Sequence, residues 1–207
     1  YRQRKVDYGQ SHGKVMIDVR DLIYRNTSLI NKDQCKYFID FFEEHVDKAL
    51  PESSTKYELD KNPENLQDNF LALNLSFYYK DPKFKEAADI AFSLIRVMVL
   101  NYAQYLKIKI TPTITDYYMS STDNMRYKQG QEIKDHLDIG SNDIRASCTL
   151  NLNENYEGGA FSFFSGKHLL DLKEGEGIVF PAEQIWVHGV RPVTKGTRYA
   201  INCFLRP

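Results

Sequence analysis

The sequence is short of cysteine and of net charge, and each shortage excludes a class of protein. Its 207 residues include only three cysteines, none in a CxxC pair, which excludes a disulfide framework and a cysteine-rich zinc site. Lys and Arg number 27 against 28 Asp and Glu, a formal net charge of −1 that gives no electrostatic footprint for nucleic acid or an anionic membrane. No apolar run approaches the roughly 20 residues of a transmembrane helix. We therefore predict a soluble protein without nucleic-acid or membrane partners, with the cytoplasm as its favoured location.

The residues that are present indicate one sheet-rich globular domain. Hydrophobic residues make up 42% and charged residues 27%, ordinary values for a globular protein. Tyr and Phe number 14 and 12, which favours β-structure. The length suits a single domain over 1–207, divided into a helical support region with an N-terminal tail (1–110) and a β core (111–207). The chain begins at Tyr1 rather than Met, so an upstream segment is expected.

The first clear element is a helix that follows a polar tail. Residues 1–13 are polar and basic and indicate the tail, and residues 14–20 match a short strand. Asn31, with Gln34 three residues later, forms a capping-box pattern. Apolar residues then recur at helical spacing, so the sequence predicts a helix from about Lys32 to Leu50.

A second helix is predicted after a polar loop at 51–69. Asp81 can cap this helix and Pro82 suits its first position, and the apolar pattern continues to about Leu106. A helix of that length is expected to lie across one whole face of a sheet.

After Pro112 the pattern changes to short strands separated by Gly and Pro. So many short strands favour a sandwich or an open barrel. We predict an α+β, mainly β fold, in which two helices pack on one face of a jelly-roll-like antiparallel core. The candidate strands are 114–120, 125–129, 133–138, 144–153, 160–164, 168–172, 177–180, 185–190 and 198–205.

The segment His136-Leu137-Asp138 carries the first functional signal. Successive side chains of a strand alternate between its faces, so the imidazole and the carboxylate project together while Leu137 faces the opposite layer. With a second histidine, they would form the two-His-one-carboxylate triad that leaves open positions on Fe(II). Alone, the segment fits a surface turn as well.

His188 is the candidate for the second histidine. It lies in an apolar strand pattern, where the alternative role is a core histidine bonded to backbone. Trp186 would face the same way and either line the pocket or pack in the core.

Arg198 begins an otherwise apolar strand and shares a face with Ala200 and Asn202. A buried guanidinium requires an anionic partner, and its planar fork suits a carboxylate. The alternative is a salt bridge at the strand's edge. Tyr127 could place its hydroxyl near a ligand carboxylate or complete the barrel rim, and the glycines of Glu157-Gly158-Gly159 indicate a tight turn.

Four motifs then follow one another over about residues 115–207. They are His136-X-Asp138, Tyr156-Glu-Gly-Gly159, His188-Gly-Val-X-Pro192 and Gly196-Thr-Arg198-Tyr-Ala200. In order and spacing the chain resembles the Fe(II)/2-oxoglutarate dioxygenases, and within them the prolyl 4-hydroxylase and collagen lysyl hydroxylase branch.

The resemblance implies a double-stranded β-helix, a jelly-roll or cupin-like core, in which His136, Asp138 and His188 bind Fe(II). It implies that Arg198 pairs with the distal carboxylate of the cosubstrate 2-oxoglutarate and that Tyr127 contributes a hydroxyl there. Dioxygen is the other substrate, and ascorbate is a candidate reductant.

The chain also departs from its relatives at two positions. Many prolyl hydroxylases have Lys where this chain has Arg198, which agrees instead with lysyl and oxygen-sensing members. Where relatives often have Tyr in the strand before the Gly-Gly turn, this chain has Asn151, so no second cosubstrate anchor is assigned.

The implied reaction couples oxidative decarboxylation of 2-oxoglutarate, to succinate and carbon dioxide, with hydroxylation of an amino-acid side chain. A prolyl residue in a peptide or protein is the preferred substrate, and a lysyl residue or a free amino acid is the alternative. The rival functions are a non-catalytic β-helix module that binds sugars or peptides and a structural jelly roll. No oligomeric state is predicted. The loops expected to select the substrate are 51–69, 121–124 and 139–143.

Overall fold

The computed structural model describes residues 18–51, 70–107, 118–138 and 144–206, and within these ranges it contains two main antiparallel sheets, a separate two-stranded sheet and two α-helices. The helices are α1 (Lys32–Glu44) and α2 (Pro82–Tyr105). The strands are β1 (Tyr24–Asn26), β2 (Leu50–Pro51), β3 (Leu71–Asn74), β4 (Tyr118–Lys128), β5 (Ile133–His136), β6 (Ala146–Asn151), β7 (Glu157–Gly158), β8 (Phe161–Phe163), β9 (His168–Leu170), β10 (Gly177–Pro181), β11 (His188–Val190), β12 (Val193–Lys195) and β13 (Thr197–Arg206).

The strands form a large sheet of order β1-β10-β6-β13-β4-β3-β2 and a small sheet of order β5-β11-β8-β9, with β7 and β12 paired separately. Every pairing is antiparallel. The mainly β prediction with an antiparallel core is therefore confirmed. The first half of the chain is more than helical support, because it adds β1, β2 and β3 to the large sheet.

Alternation along the central strands of the large sheet separates two hydrophobic cores. The outer face carries Cys148, Leu150 and Ile201, which pack against both helices. The inner face carries Tyr127 and Phe180, which pack against the small sheet. Both helices therefore cover one face of the large sheet, as predicted, and leave the space between the sheets for a site.

Helix α1 begins as predicted and ends earlier. The Asn31 side chain accepts from the Gln34 backbone, and the Gln34 side chain accepts from the Asn31 backbone. The helix ends at Glu44, because residues 46–48 form a 3₁₀ turn and Leu50–Pro51 pair with β3. Proline disfavours helical backbone in the residue before it, which suits this early change to a strand.

Helix α2 matches its prediction within one residue. The Asp81 side chain accepts from the Lys83 backbone N–H, and Pro82 occupies the first turn. None of the helices in the described ranges combines the length and apolarity that a bilayer crossing needs.

The predicted loop at 121–124 is wrong, because these residues lie inside β4. Ser, Thr, Asp and Asn together are typical of a turn, but β4 is bonded on one side to β13 and on the other to β3. The Asn124 side chain is buried and donates to the Phe38 carbonyl of α1, 2.7 Å away. Ladder bonds and this tertiary contact outweigh the local turn preference.

Other strand boundaries differ because pairing decides them. Asp18 caps a 3₁₀ helix at Val19–Leu22, so the predicted strand at 14–20 is wrong from Asp18 onward, and residues 14–17 lie outside the described residues. The strand predicted at 185–190 begins only at His188. Residues 52–69, 114–117 and 139–143 also lie outside the described ranges.

Candidate metal centre

The two predicted histidine ligands lie side by side on neighbouring strands of the small sheet. His136 on β5 is the direct partner of His188 on β11, and their ring centroids are 4.4 Å apart. Each Nδ1 lies 2.9 Å from a backbone carbonyl two residues earlier, that of Lys134 for His136 and that of Trp186 for His188. A carbonyl can only accept, so each Nδ1 donates to it, and Nε2 is the ring nitrogen that faces Asp138 and can bind a metal once it carries no proton.

Asp138 completes the group from just beyond the end of β5. Its Oδ1 lies 3.3 Å from His136 Nε2 and its Oδ2 lies 3.2 Å from His188 Nε2. The strand ends at His136 rather than Asp138, because β11 begins opposite His136. Leu137 is 37% exposed and so does not pack in the opposite layer.

The spacing of these ligand atoms fits one metal ion. One ligand atom from each of His136, Asp138 and His188 lies within 4.8 Å of the others. Two ligands at right angles, each about 2.1 Å from a metal, are about 3 Å apart. Two imidazoles and one carboxylate are the donor set that non-haem Fe(II) oxygenases use. The residues therefore fit Fe(II) and leave part of its coordination sphere open.

The electrostatics of the group come from close packing of one acid with two imidazoles. Burial alone would raise the pKa of Asp138, but the hydrogen bonds from His136 and His188 outweigh it and hold that pKa well below its usual range. Burial opposes charge on His136 as well, yet its hydrogen bond to Asp138 and the carboxylate charge raise its pKa above 6.5. The site therefore attracts cations.

The group lies in a pocket between the two sheets. The side chains of Asp138 and His188 are 5% and 7% exposed, whereas that of His136 is 24% exposed, so solvent reaches the centre beside His136. The large sheet contributes polar residues of β6 and β13 that the sequence reasoning did not assign to the site. The pocket is lined by Ile133, His136, Asp138, Ser147, Cys148, Thr149, Phe161, Phe180, His188, Gly189, Val190, Asn202 and Phe204.

A sequence signal for these polar residues exists in β6. Ser147, Thr149 and Asn151 alternate with apolar residues in a strand that is buried throughout. Polar side chains at every second position of a buried strand indicate an inner face that binds something. Thr149 donates to Asn202 Oδ1 at 2.6 Å, which joins β6 and β13 in the pocket wall.

Arg198 and Tyr127 are brought together at the other end of this inner face. They are partners in the β13–β4 ladder, and the guanidinium carbon lies 5.1 Å from the tyrosine ring centroid. Arg198 is 1% exposed and Tyr127 fully buried. The tyrosine hydroxyl lies 3.1 Å from the Met125 sulfur. Arg198 shares its face with Asn202, four residues or about 13 Å along the strand, and so with the metal pocket.

The guanidinium of Arg198 has no anionic partner among the described residues, although its burial requires one. Its Nε has no hydrogen-bond partner, and no carboxylate of the described residues forms an ion pair with it. Within these residues the edge salt bridge considered as an alternative is therefore not observed. A buried cation with an unpaired N–H is very unfavourable unless an anion binds there. The arrangement fits the carboxylate of a bound acid.

The side chain of Asn151 is used within the protein itself. Its Nδ2 donates to the carbonyls of Asn153 and Leu172, at 2.6 and 2.9 Å, and its Oδ1 accepts from Tyr156. This buried amide joins a loop to β6 and has no free donor to offer a cosubstrate. The contacts of Asn151 therefore give it a structural role.

Two further residues have structural roles. Trp186 is buried against the Phe163 and Phe180 rings and does not line the metal pocket. Gly159 has φ +66°, as the predicted tight turn requires, and a Cβ there would lie 3.1 Å from Arg198 Cδ. The glycine thus leaves room for the arginine.

Comparisons with known proteins concern first the fold of the chain and then the sequence of its β core. The structure is similar to a prolyl-4-hydroxylase from Pseudomonas putida, with 18% identity, a TM-score of 0.65 and coverage of 91% of this chain and 97% of that one. It is similar to the collagen prolyl hydroxylase of Paramecium Bursaria Chlorella virus-1, in its 2OG complex (16%, TM-score 0.60, coverage 89% and 95%). A prolyl hydroxylase from Trichoplax adhaerens, solved with a hypoxia inducible factor peptide, is also similar (12%, TM-score 0.64, coverage 90% and 84%).

The double-stranded β-helix prediction is therefore confirmed. No protein of curated function matches the sequence. The sequence model of the 2OG-Fe(II) oxygenase superfamily matches residues 123–206, which contain all four motifs. The matched residues, 84 of the 207, are fewer than half of the chain, so the similarity to this superfamily concerns the β core.

Proposed function

We propose that the protein hydroxylates an amino-acid side chain, and that a peptidyl proline is its substrate. The observation that carries the proposal is the coexistence of two separate features in the space between the two sheets. One is the converging His136, Asp138 and His188 group, and the other is the buried Arg198 with its unpaired Nε. A plain binding module or a structural jelly roll needs neither of them.

In this proposal His136, Asp138 and His188 hold Fe(II), while Arg198 and Tyr127 hold 2-oxoglutarate. The iron, when bound, supplies the activation of dioxygen that couples decarboxylation of 2-oxoglutarate to hydroxylation. The chain contributes position and exclusion of water. The carbonyl contacts of both imidazoles fix their orientation, and Arg198 fixes the distance at which a dicarboxylate can be held.

The walls of the pocket favour an uncharged substrate side chain. Ile133, Phe161 and Phe180 provide an apolar surface. Among the described lining residues Asp138 is the single acid, and it is already assigned to the metal. A lysyl ammonium would find no other carboxylate there, whereas a proline ring needs none. The peptide in the similar Trichoplax structure also supports a peptide substrate.

The test supplies the purified protein with Fe(II), 2-oxoglutarate, ascorbate and oxygen. Matched peptides that differ in one residue, proline, lysine or arginine, are followed by mass spectrometry for one added oxygen atom, and succinate is measured in parallel. We expect oxygen on the proline peptide and equal amounts of succinate. The His136→Ala variant is the control for metal-independent chemistry.

Two other outcomes of this experiment would contradict either the substrate or the activity. Oxygen transferred to the lysine peptide alone would contradict the prolyl assignment and retain the oxygenase. The absence of 2-oxoglutarate turnover with every peptide, and also with free amino acids, would contradict the proposed function itself.

A further inference from the structure

Among the described residues, each of the three proposed metal ligands has one outer hydrogen bond, and the bond of Asp138 comes from a side chain. The two imidazoles use backbone carbonyls. Asp138 instead accepts at Oδ2 from the hydroxyl of Ser147. A substitution does not remove a backbone carbonyl, so within the described ranges Ser147 is the outer partner that a mutation can remove.

The surroundings of Ser147 direct its hydroxyl to Asp138. Ser147 lies on the inner face of β6 and is 4% exposed. Its ladder partners are Phe180 on one side and Phe204 on the other, both pocket-lining residues. Apolar neighbours leave few acceptors for the hydroxyl, and an unsatisfied buried hydroxyl is unfavourable.

We propose that Ser147 is a positioning residue that sets the orientation of the Asp138 carboxylate toward the metal. The inference rests on the proposed function, because it takes Asp138 as a ligand. The hydroxyl occupies Oδ2 and restricts rotation of the carboxylate. Asp138 would then offer one oxygen to the metal, and the rest of the site would stay available for the cosubstrate and dioxygen.

The proposal differs from a packing role in what it predicts. If Ser147 only fills space, replacing it by Ala alters stability and leaves the metal centre unchanged. If it orients Asp138, the same change weakens metal binding and alters the ligand field, because a freed carboxylate can turn and bind through both oxygens. A hydroxyl restored on a different side chain should reverse the effect.

The experiment titrates the metal-free protein with Co(II), which serves as a spectroscopic substitute for Fe(II), and records affinity and the visible d–d spectrum. We expect Ser147→Ala to weaken Co(II) binding by about 10–100-fold, the range for outer partners of metal ligands, with an altered spectrum. Ser147→Thr keeps the hydroxyl and should bind Co(II) within a few-fold of the parent, with the parent spectrum.

The matched control is Ser162→Ala. Ser162 is also a fully buried strand serine, but its hydroxyl accepts from Arg191 at 2.6 Å rather than contacting a ligand. We expect this variant to bind Co(II) as the parent does. Thermal unfolding of every variant separates loss of folding from loss of affinity. If Ser147→Ala does not fold, Ser147→Val, which has the shape of the Thr variant without its hydroxyl and suits a strand, takes its place in the comparison.

The outcomes separate this inference from the function on which it rests. A parent protein that fails to bind Co(II) contradicts the proposed metal site. A parent that binds, together with a Ser147→Ala variant that gives the same affinity and spectrum, overturns the role of Ser147 alone. A Ser147→Thr variant as weak as Ser147→Ala overturns it too, because the hydroxyl is then not the cause.

Discussion

His136 and His188 are directly opposite each other on two antiparallel strands, with ring centroids 4.4 Å apart. The register of β5 and β11 thus determines whether the site exists. A slip of one residue would turn one imidazole to the other face of the small sheet.

Removal of either imidazole should abolish tight metal binding. Mutations of residues that hydrogen-bond to a metal ligand typically reduce metal affinity by about 10–100-fold. We expect His188→Ala to reduce Co(II) affinity by more than this, because it removes a direct ligand. Isothermal titration calorimetry under nitrogen measures the Co(II) affinity of the variant and the parent. His168→Ala is the control, since His168 lies in the same sheet outside the triad. A His188→Ala variant with parental affinity would remove His188 from the metal site.

Gly189 allows β11 to approach β5 closely. A Cβ at this position would lie 2.5 Å from the Ile133 carbonyl oxygen. We expect Gly189→Ala to lower the free energy of unfolding by about 1–3 kcal/mol, as for overpacking, and to weaken Co(II) binding because it displaces His188.

Gly130→Ala is the comparison for that prediction. Gly130 has φ +87°, but no described atom lies within 4 Å of the position that its Cβ would take, so this substitution strains only the local turn. Denaturant unfolding and Co(II) titration of both variants give the result. Equal metal affinity in Gly189→Ala and the parent would show that the close strand approach does not position His188.

The sequence contains enough information for the triad because alternation is local. His136, Asp138 and His188 could be assigned from spacing and residue type before any pairing was known. Even here the strand ends at His136, and Asp138 reaches the site from the following residues. The helix caps Asn31 and Asp81 can also be predicted from the sequence, since a cap depends on a few neighbouring residues.

The remaining features depend on partners far away in the chain. The turn-like residues at 121–124 are held in β4 by hydrogen bonds to β3 and β13. The local sequence does not predict such pairing with distant strands. Ser147 is an ordinary strand serine until the fold places Asp138 beside it. The bonds from Asn151 to backbone carbonyls likewise form only when Leu172 is brought next to it.

Metal affinity should fall as the pH is lowered, beginning above pH 6.5. Burial disfavours charge on His136, but the hydrogen bond and charge of Asp138 outweigh it and raise its pKa above 6.5. A raised pKa means that the imidazole stays protonated to higher pH, and protons compete with the metal. The stability of the metal-free protein depends on pH in the opposite direction. Charged His136 stabilises the fold at every pH below its unfolded-state pKa, and this stabilisation is lost as the pH rises through its folded-state pKa.

The difference in melting temperature between Co(II)-loaded and metal-free protein should therefore narrow as pH falls. Scans at saturating Co(II) from about pH 8 to about pH 5.5 cover the titration of histidine. A constant difference over that range would mean that neutral imidazoles are not the ligands.

Arg198 is expected to hold the cosubstrate without affecting the metal. Its guanidinium is buried, stacks on Tyr127 and has an unpaired Nε, so a carboxylate placed there gains a charge-assisted contact. Replacing Arg198 by Ala removes one partner of a buried charge pair, a loss on the order of 2–5 kcal/mol. The dissociation constant for 2-oxoglutarate should therefore rise by at least about tenfold, since each 1.4 kcal/mol is a factor of ten.

The measurement is an anaerobic titration of the Fe(II) protein with 2-oxoglutarate, followed by the charge-transfer absorbance of the chelate. Arg198→Lys keeps the charge and loses the planar fork, so it should be milder than Arg198→Ala. Co(II) affinity is measured for both variants and should match the parent, because Arg198 contacts none of the three ligands. If Arg198→Ala binds 2-oxoglutarate as tightly as the parent, the guanidinium is structural and the carboxylate is held by other residues.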